Sequence, residues 1–405
     1  MATKVRHDSI SQMEPMLPSA IDSSLTDLAI EVVRRSAALS TALHPLTRRT
    51  VVELVRSMNS YYSNLIEGHN THPVDIERAL EKDYSHDAAM RALQMESAAH
   101  IEVQQRIESW LQTNPNEDIC AQAFLCRVHR EFYARLPEDF CPVQTPAGAS
   151  KKVIPGMLRQ DEVTVGRHIA PAFKDLPDFL TRFQAAYNPS RLSAVNKVIA
   201  AAASHHRLAW IHPFLDGNGR VTRLFSHAYL IKAQIGGHGL WAVSRGFARN
   251  REAYLRALAG ADAHRQGEVD GRGNLSNRGL TGFCTFFLQT ALDQIDFMSS
   301  LLDLDGLQKR LSGYVERQVS QGELTLEAAY LLRDVLLRGE VPRGEATRIT
   351  GRPERTARRI LKGLLDKKLL NADTEKGPVR LNFPVGVVGY YFPRLYPEGV
   401  EITAR

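Results

Sequence analysis

Two apolar runs joined by one polar loop constrain this chain more than anything else in it. The first, LSAVNKVIAAAASHHRLAW over residues 192–210, is alanine-rich and reads as a core helix whose small side chains let neighbours pack closely. The second, residues 224–235, reads as another helix, stopped by Gly236-Gly237. Between them lies IHPFLDGNGRVTR, residues 211–223. Gly217 and Gly219 have no Cβ, so the backbone there can take left-handed angles and come close to a ligand. A helix start after such a turn offers unpaired N–H groups and a positive dipole end, both of which favour phosphate. Arg220 and Arg223 are three residues apart, so both guanidiniums fall on one face and can fork onto oxyanions. Asp216 is a hard oxygen ligand of the kind magnesium takes alongside substrate phosphates. His212 can accept a proton near neutral pH, and Pro213 fixes the exit from the preceding helix. The stretch therefore reads as a magnesium and polyphosphate clamp with a base beside it. Neither GxxxxGK(S/T) nor a strand-borne GxGxxG is present, so this is not a loop of the Walker or Rossmann kind.

HPFLDGNGRVTR resembles the signature of the Fic domain family, HPFx(D/E)(G/A)NGR followed by xxR, and matches it at every specified position. The resemblance implies a helical core that transfers AMP from ATP to a Ser, Thr or Tyr hydroxyl of a protein, with Mg2+. Residue by residue it implies His212 as the base toward that hydroxyl and Asp216 as the metal ligand. Gly217, Asn218 and Gly219 would surround the α-phosphate, and Arg220 and Arg223 would hold the β- and γ-phosphates. Upstream, SNLIEG at residues 63–68 is similar to the inhibitory motif (S/T)xxxE(G/N) of the family. Ser63 and Glu67 are four apart and share a helical face. In the family this glutamate reaches the second signature arginine and blocks the γ-phosphate, so Glu67 is expected on Arg223. Tyr254, in YLRA, is the nearest match to the aromatic residue of the family's adenine and ribose pocket. A β-hairpin flap is expected between Pro142 and Pro171, its strands at residues 152–154 and 162–165. In relatives such a flap aligns the target by main-chain pairing. Relatives that also remove AMP, and a regulator whose Fic site senses nucleotide, stay open as alternatives.

With 405 residues, 43% of them hydrophobic, the chain can bury the cores of two or three domains. The expected division is 1–112 for the N-terminal helices with the inhibitory helix, 113–305 for the Fic domain, and 306–405 for a linker helix and a winged helix-turn-helix. No run approaches the roughly 20 apolar residues of a membrane helix, and MATKVRHDSISQMEP lacks an apolar signal core. A cytoplasmic location without a membrane partner is the expectation. Cys120, Cys126, Cys141 and Cys284 show neither CxxC pairing nor zinc spacing and read as free packing thiols. The first twenty or so residues, with Pro15 and Pro18, read as an arm of little regular structure. Helical patterns recur over residues 24–43, 44–68, 73–112, 118–136, 244–260, 280–304 and 307–319. His205 and His206 read as packing and helix-surface residues.

The last quarter has a different texture. LTLEAAYLLRDVLLRG, PRGEATRITG and RPERTARRILKGLLDKKLL, then two short strands around Glu375-Lys376-Gly377, follow the order of a winged helix-turn-helix. Residues 341–381 hold 11 Lys/Arg against 5 Asp/Glu, a net of +6 that equals the +6 of the whole chain. Arg355, Arg358, Arg359 and Lys362 recur at the spacing that phosphate or base contacts of a recognition helix require. DNA is therefore one expected partner. The other is a target protein that the sequence does not identify, the chain itself included. Winged helices also serve as docking or dimerisation modules, which keeps a homodimer open. The fold class expected is all-α, a Fic helical core with a small β-hairpin flap, plus the C-terminal winged helix-turn-helix.

Overall fold

A computed structural model describes residues 8–19, 23–137, 142–144, 150–166 and 168–397. Five helices come first: α1 (Ser23–Ser40), α2 (Pro45–Ile66), α3 (Pro73–Leu80), α4 (Ala88–Thr113) and α5 (Gln122–Tyr133). Proline at the first helical position starts α2 and α3, its fixed φ already suited to a helix. Asp87 starts α4 by accepting the Met90 N–H at 2.8 Å. Gly68 ends α2 with a φ of +91°, and the His69 N–H reaches back to the Asn64 carbonyl at 2.9 Å. That six-to-one bond satisfies a carbonyl the helix end leaves open.

The centre is α6 (Leu176–Tyr187), α7 (Ala194–Ile211) and α8 (Asn218–Lys232). Ala200 to Ala203 of α7 are all at most 1% exposed, so α6, α8 and a long later helix over Asn277–Leu302 pack directly on its backbone. The second apolar run differs from expectation at both ends. Helix α8 begins inside the loop motif, at Asn218, and stops at Lys232. There Gln234, not a glycine, takes a φ of 61°, and the Ile235 N–H closes on the Leu230 carbonyl at 3.0 Å. Next come α9 (Ser244–Arg249), α10 (Arg251–Ala261) and α11 (Asn277–Leu302). The single helix expected over residues 244–260 is broken at Asn250, whose φ of −129° and ψ of 53° are not helical.

The flap segment pairs differently from the sequence reading. Strand β1 (Pro142–Gln144) pairs antiparallel with β2 (Ser150–Lys152), and β3 (Thr164–Val165) pairs with β4 (His168–Ile169). The two expected strands thus belong to separate hairpins. The chain between them is tied to the helical body: the Gly156 N–H donates to His129 Nδ1 at 2.8 Å, and Arg159 is only 3% exposed. Cys141 lies outside the described residues, whereas Cys120, Cys126 and Cys284 are free and buried. The N-terminal arm is more ordered than expected. Met13 and Met16 are buried, and the fully buried Arg207 donates through Nη2 to the Pro15 carbonyl at 2.8 Å.

Helix α12 (Leu304–Ser320) leads to α13 (Glu327–Arg338), α14 (Ala346–Thr350) and α15 (Glu354–Asp366). Then β5 (Leu370–Asn371) pairs with β6 (Arg380–Leu381), a bridge joins Val341 to Val379, and α16 (Val385–Tyr391) follows. This part rests on the outer side of α2 and α3. Thr47 and Thr50 donate to the Leu336 and Leu381 carbonyls at 3.1 and 3.2 Å, and Tyr62 donates to the Leu395 carbonyl at 3.0 Å. The Val385 N–H donates to Glu77 of α3 at 3.1 Å, and Tyr396 meets Tyr61 edge to face. The other side of α2 carries Ser63 and Glu67. No helix among the described residues is long and apolar enough to cross a membrane.

Candidate active site

His212 caps the C-terminus of α7 in the left-handed region, with φ 50° and ψ 60°. A side chain with a Cβ is uncommon there, and a residue before proline is ordinarily extended. The surroundings hold it. Its N–H donates to the Leu208 carbonyl at 3.1 Å, and its carbonyl accepts Arg159 Nε at 2.8 Å. The Arg159 N–H also donates to the Pro213 carbonyl at 3.0 Å. Burial first of all lowers the His212 ring to about 4, and the Ala209 carbonyl accepts one ring N–H. At neutral pH the ring is therefore uncharged, with its other nitrogen able to accept a proton.

The loop beyond is gripped from α5. His129 stacks on Phe214 at 4.1 Å between centroids, and its Nε2 lies 3.3 Å from the Asp216 carbonyl. Tyr133, one turn further on, donates to Asp216 Oδ2 at 2.5 Å. Burial pushes the Tyr133 hydroxyl up, so it stays a donor. Gly217 has a φ of +78°, and a Cβ there would meet the Tyr133 ring at 2.7 Å. Gly217 is the turn glycine the sequence reading expected, but Gly219 is not. Gly219 is helical, and a Cβ on it would lie 2.2 Å from Glu67 Oε1. It is small because a carboxylate lies against it. Asn218 departs from its expected role as well. Its Oδ1 accepts the Phe214 N–H at 2.9 Å and its Nδ2 donates to the Phe214 carbonyl at 2.8 Å, so the side chain holds the loop closed. The N–H groups of Asn218, Gly219 and Arg220 have no partner within the helix, because the first helical bond of α8 is Val221 N–H to the Gly217 carbonyl.

Glu67 and Arg223 meet. Arg223 Nη2 lies 2.5 Å from Glu67 Oε1, its Nε donates to Ser63 Oγ at 2.8 Å, and Nη2 also reaches the Ser63 carbonyl at 3.1 Å. Burial alone would raise the Glu67 carboxyl. Arg223, helped by Arg220 and His69, more than offsets this and holds it below the usual carboxylate range. Arg251 of α10 donates to the Ile66 carbonyl at 2.8 Å, placing a cation at the C-terminus of α2. Arg220 does not join Arg223 on one open face. It pairs with Glu96 of α4.

Tyr254 is not a pocket wall. It is 4% exposed, stacks on Phe247 at 4.4 Å, and its hydroxyl lies 2.9 Å from His205 Nε2. The open aromatic surface that an adenine would need is absent at this side chain. His205 and His206 are packing residues, as read, but neither is on the surface: His205 Nδ1 lies 2.7 Å from Ser226 Oγ and His206 Nε2 lies 3.0 Å from Asp262. Arg355, Arg358, Arg359 and Lys362 are exposed on α15. Arg358 pairs with Glu354 at 2.5 Å, whereas Arg355, Arg359 and Lys362 have no side-chain partner among the described residues.

The sequence reading missed His129, Tyr133, Arg159, Glu96 and His69. Only the first two had a local signal, their spacing of four on one face of a helix.

Several histidines here are buried uncharged. Burial lowers His100 and His205 to about 3 and His129 and His212 to about 4, from 6.5. Below pH 6.5 the unfolded chain binds protons that these folded rings refuse, so stability falls as pH drops from 6.5 toward about 3. The slope is about 1.4 kcal/mol per group per pH unit. Urea unfolding is expected to show a lower midpoint at pH 5 than at pH 7. A midpoint unchanged over that interval would contradict the burial of neutral rings.

Comparison with known proteins agrees with this geometry. A model of the Fic/DOC family matches residues 118–230, which hold α5, the pinned segment around Arg159, α7, the loop and nearly all of α8. Proteins from Drosophila erecta and Drosophila melanogaster, each named protein adenylyltransferase Fic, are 41% identical over 78 residues. That stretch is 19% of this chain and 16% of each relative, so the chain aligns with only about a sixth of their length. A Fic family protein from Desulfovibrio desulfuricans G20 has a similar fold, with a TM-score of 0.52 at 17% identity over 91% of this chain and 98% of that one. The loop, His212 and the start of α8 thus fall inside the segment, residues 118–230, that matches the Fic/DOC family model.

Proposed function

We propose that the chain transfers AMP from ATP to a hydroxyl of a protein and that Glu67 restrains it. One observation carries the reading: a carboxylate ion-paired with Arg223 lies against Gly219 at the open N-terminus of α8, a place suited to phosphate. The neutral His212 ring takes the proton of an incoming Ser, Thr or Tyr hydroxyl. That oxygen bonds to the α-phosphorus in line as the bond to the β-phosphate bridge breaks, and pyrophosphate leaves with the electron pair. The N–H groups at the start of α8 face the α-phosphate oxygens, and Arg220 and Arg223 hold the outer phosphates.

Asp216 spends one carboxylate oxygen on Tyr133 and keeps the other. Among the described residues no cluster of three or more His, Cys, Asp or Glu stands ready to cage a metal. A single carboxylate of this kind would suit magnesium, whose remaining ligands would come from substrate phosphates and water. When bound, magnesium neutralises charge on the phosphate oxygens. Tyr133 fixes the direction in which Asp216 points. Retention of α-phosphorus label on the protein, in the Glu67→Gly variant given magnesium and ATP, tests the reading.

A second reading concerns the C-terminal part. Arg355, Arg359 and Lys362, exposed and without a side-chain partner among the described residues, favour contact with the phosphates of DNA. Gel shifts of genomic fragments at low salt are expected to show binding that Arg355→Ala/Arg359→Ala weakens about tenfold or more. No shift at low salt would remove this reading.

A further inference from the structure

The first arginine of the loop is engaged by a residue outside both motifs. Arg220 is 9% exposed and Glu96, on α4, is 6% exposed. Arg220 Nη2 pairs with Glu96 Oε1, and the second oxygen, Oε2, lies 2.6 Å from His69 Nδ1. His69 belongs to the turn that follows Glu67 and Gly68, and its own N–H closes that turn on Asn64. One buried carboxylate is thus shared by a cation from the phosphate-binding helix and a ring from the turn behind Glu67. Nη2 of Arg220 and Nδ1 of His69 approach to 3.3 Å, an arrangement the carboxylate between them makes tolerable. Glu96 is itself firmly placed. Its neighbour Ser97 accepts Ser60 Oγ on its carbonyl at 2.9 Å and Asn64 Nδ2 on its hydroxyl at 3.1 Å, which locks α4 to α2. A guanidinium this buried cannot leave its counter-ion without exposing an uncompensated charge, so Glu96 sets where Arg220 points.

We propose that Glu96 is a positioning residue that acts through Arg220, aiming it at a polyphosphate, and that His69 uses the same carboxylate to tie down the turn bearing Glu67. The proposal deepens the AMP-transfer reading and rests on it. An arginine that already holds the β- and γ-phosphates in the bound state acts on binding first, so the larger part of its loss appears in KM, with a smaller part in kcat from the charge that the leaving pyrophosphate gains.

The test uses the full chain carrying Glu67→Gly, with and without Glu96→Gln, which keeps the shape and removes the charge. The affinity for magnesium and ATP, read by calorimetry, is expected to weaken about tenfold, with KM for ATP rising in step and kcat within about twofold. Unchanged affinity, or a fall in kcat at constant KM as a merely structural role would give, overturns the positioning role. Glu96→Asp keeps the charge at shorter reach, is expected to lie between, and serves should the glutamine variant fail to fold. His69→Gln is expected to raise basal transfer of the otherwise unaltered chain about threefold and to leave the Glu67→Gly rate unchanged. An equal rise in both backgrounds, or none in the first, overturns the tie. Calorimetry requires no turnover. A Glu67→Gly protein that binds ATP without labelling sinks the transfer reading alone, and one that binds no ATP sinks both.

Discussion

Replacing Glu67 by glycine is expected to raise AMP transfer, automodification included, by roughly 10- to 100-fold. The direction follows from the contact at the α8 N-terminus. A charge-assisted, partly buried hydrogen bond has a net value of about 1.5–3 kcal/mol. An intramolecular carboxylate held that strongly keeps the site closed in all but about one molecule in ten to one in a hundred. Glycine removes the carboxylate at the cap position just after α2, next to Gly68, where loss of a side chain costs little helix. Arg223 keeps its bonds to Ser63, so the arginine is freed without being displaced. Incorporation of label from ATP measures the change, and equal incorporation by both proteins would contradict the restraint.

In that activated background, His212→Ala is expected to lower transfer by about 10²- to 10⁴-fold, the usual contribution of a positioned base. ATP affinity should stay within a few-fold, since the proposed phosphate contacts come from α8 and its arginines. The His212 ring, lowered by burial to about 4, remains neutral from pH 6 upward, so its titration should leave the rate flat between about pH 6 and pH 8. His212 has a φ of 50°, and alanine accepts that backbone poorly. His212→Asn is the gentler control, because asparagine tolerates left-handed angles. Retention of more than about a tenth of the activity by both variants would remove His212 from the chemistry.

The features legible in the sequence were those written in short contiguous stretches. The loop at residues 211–223, the spacing of Ser63 and Glu67, the Gly68 cap and the order of the C-terminal elements all obey local periods or turn chemistry. The meeting of Glu67 with Arg223 spans 156 residues and came from family resemblance, not from spacing. Roles that depend on a neighbour in space were not legible. Gly219 looked like a second turn glycine because nothing local says that a carboxylate from α2 presses on it. Asn218 looked like a ligand because its bonds to Phe214 form only once the loop closes. Tyr254 carries a pattern that fits an exposed platform as well as a buried ring, and only packing against Phe247 and His205 decides. The two hairpins of the flap segment were merged because the ties that separate them, through His129 and Arg159, come from elements distant in the chain. A lone buried acid such as Glu96 leaves no pattern at all.

Parallel incubation of the Glu67→Gly protein with magnesium and ATP labelled either on the α- or on the γ-phosphorus tests the proposed chemistry most directly. The expected result is label retained on protein from the α-position only, with one pyrophosphate released for each AMP retained and no retention when His212 is also replaced. Retention of γ-label, or of neither label, would contradict transfer of AMP by this site.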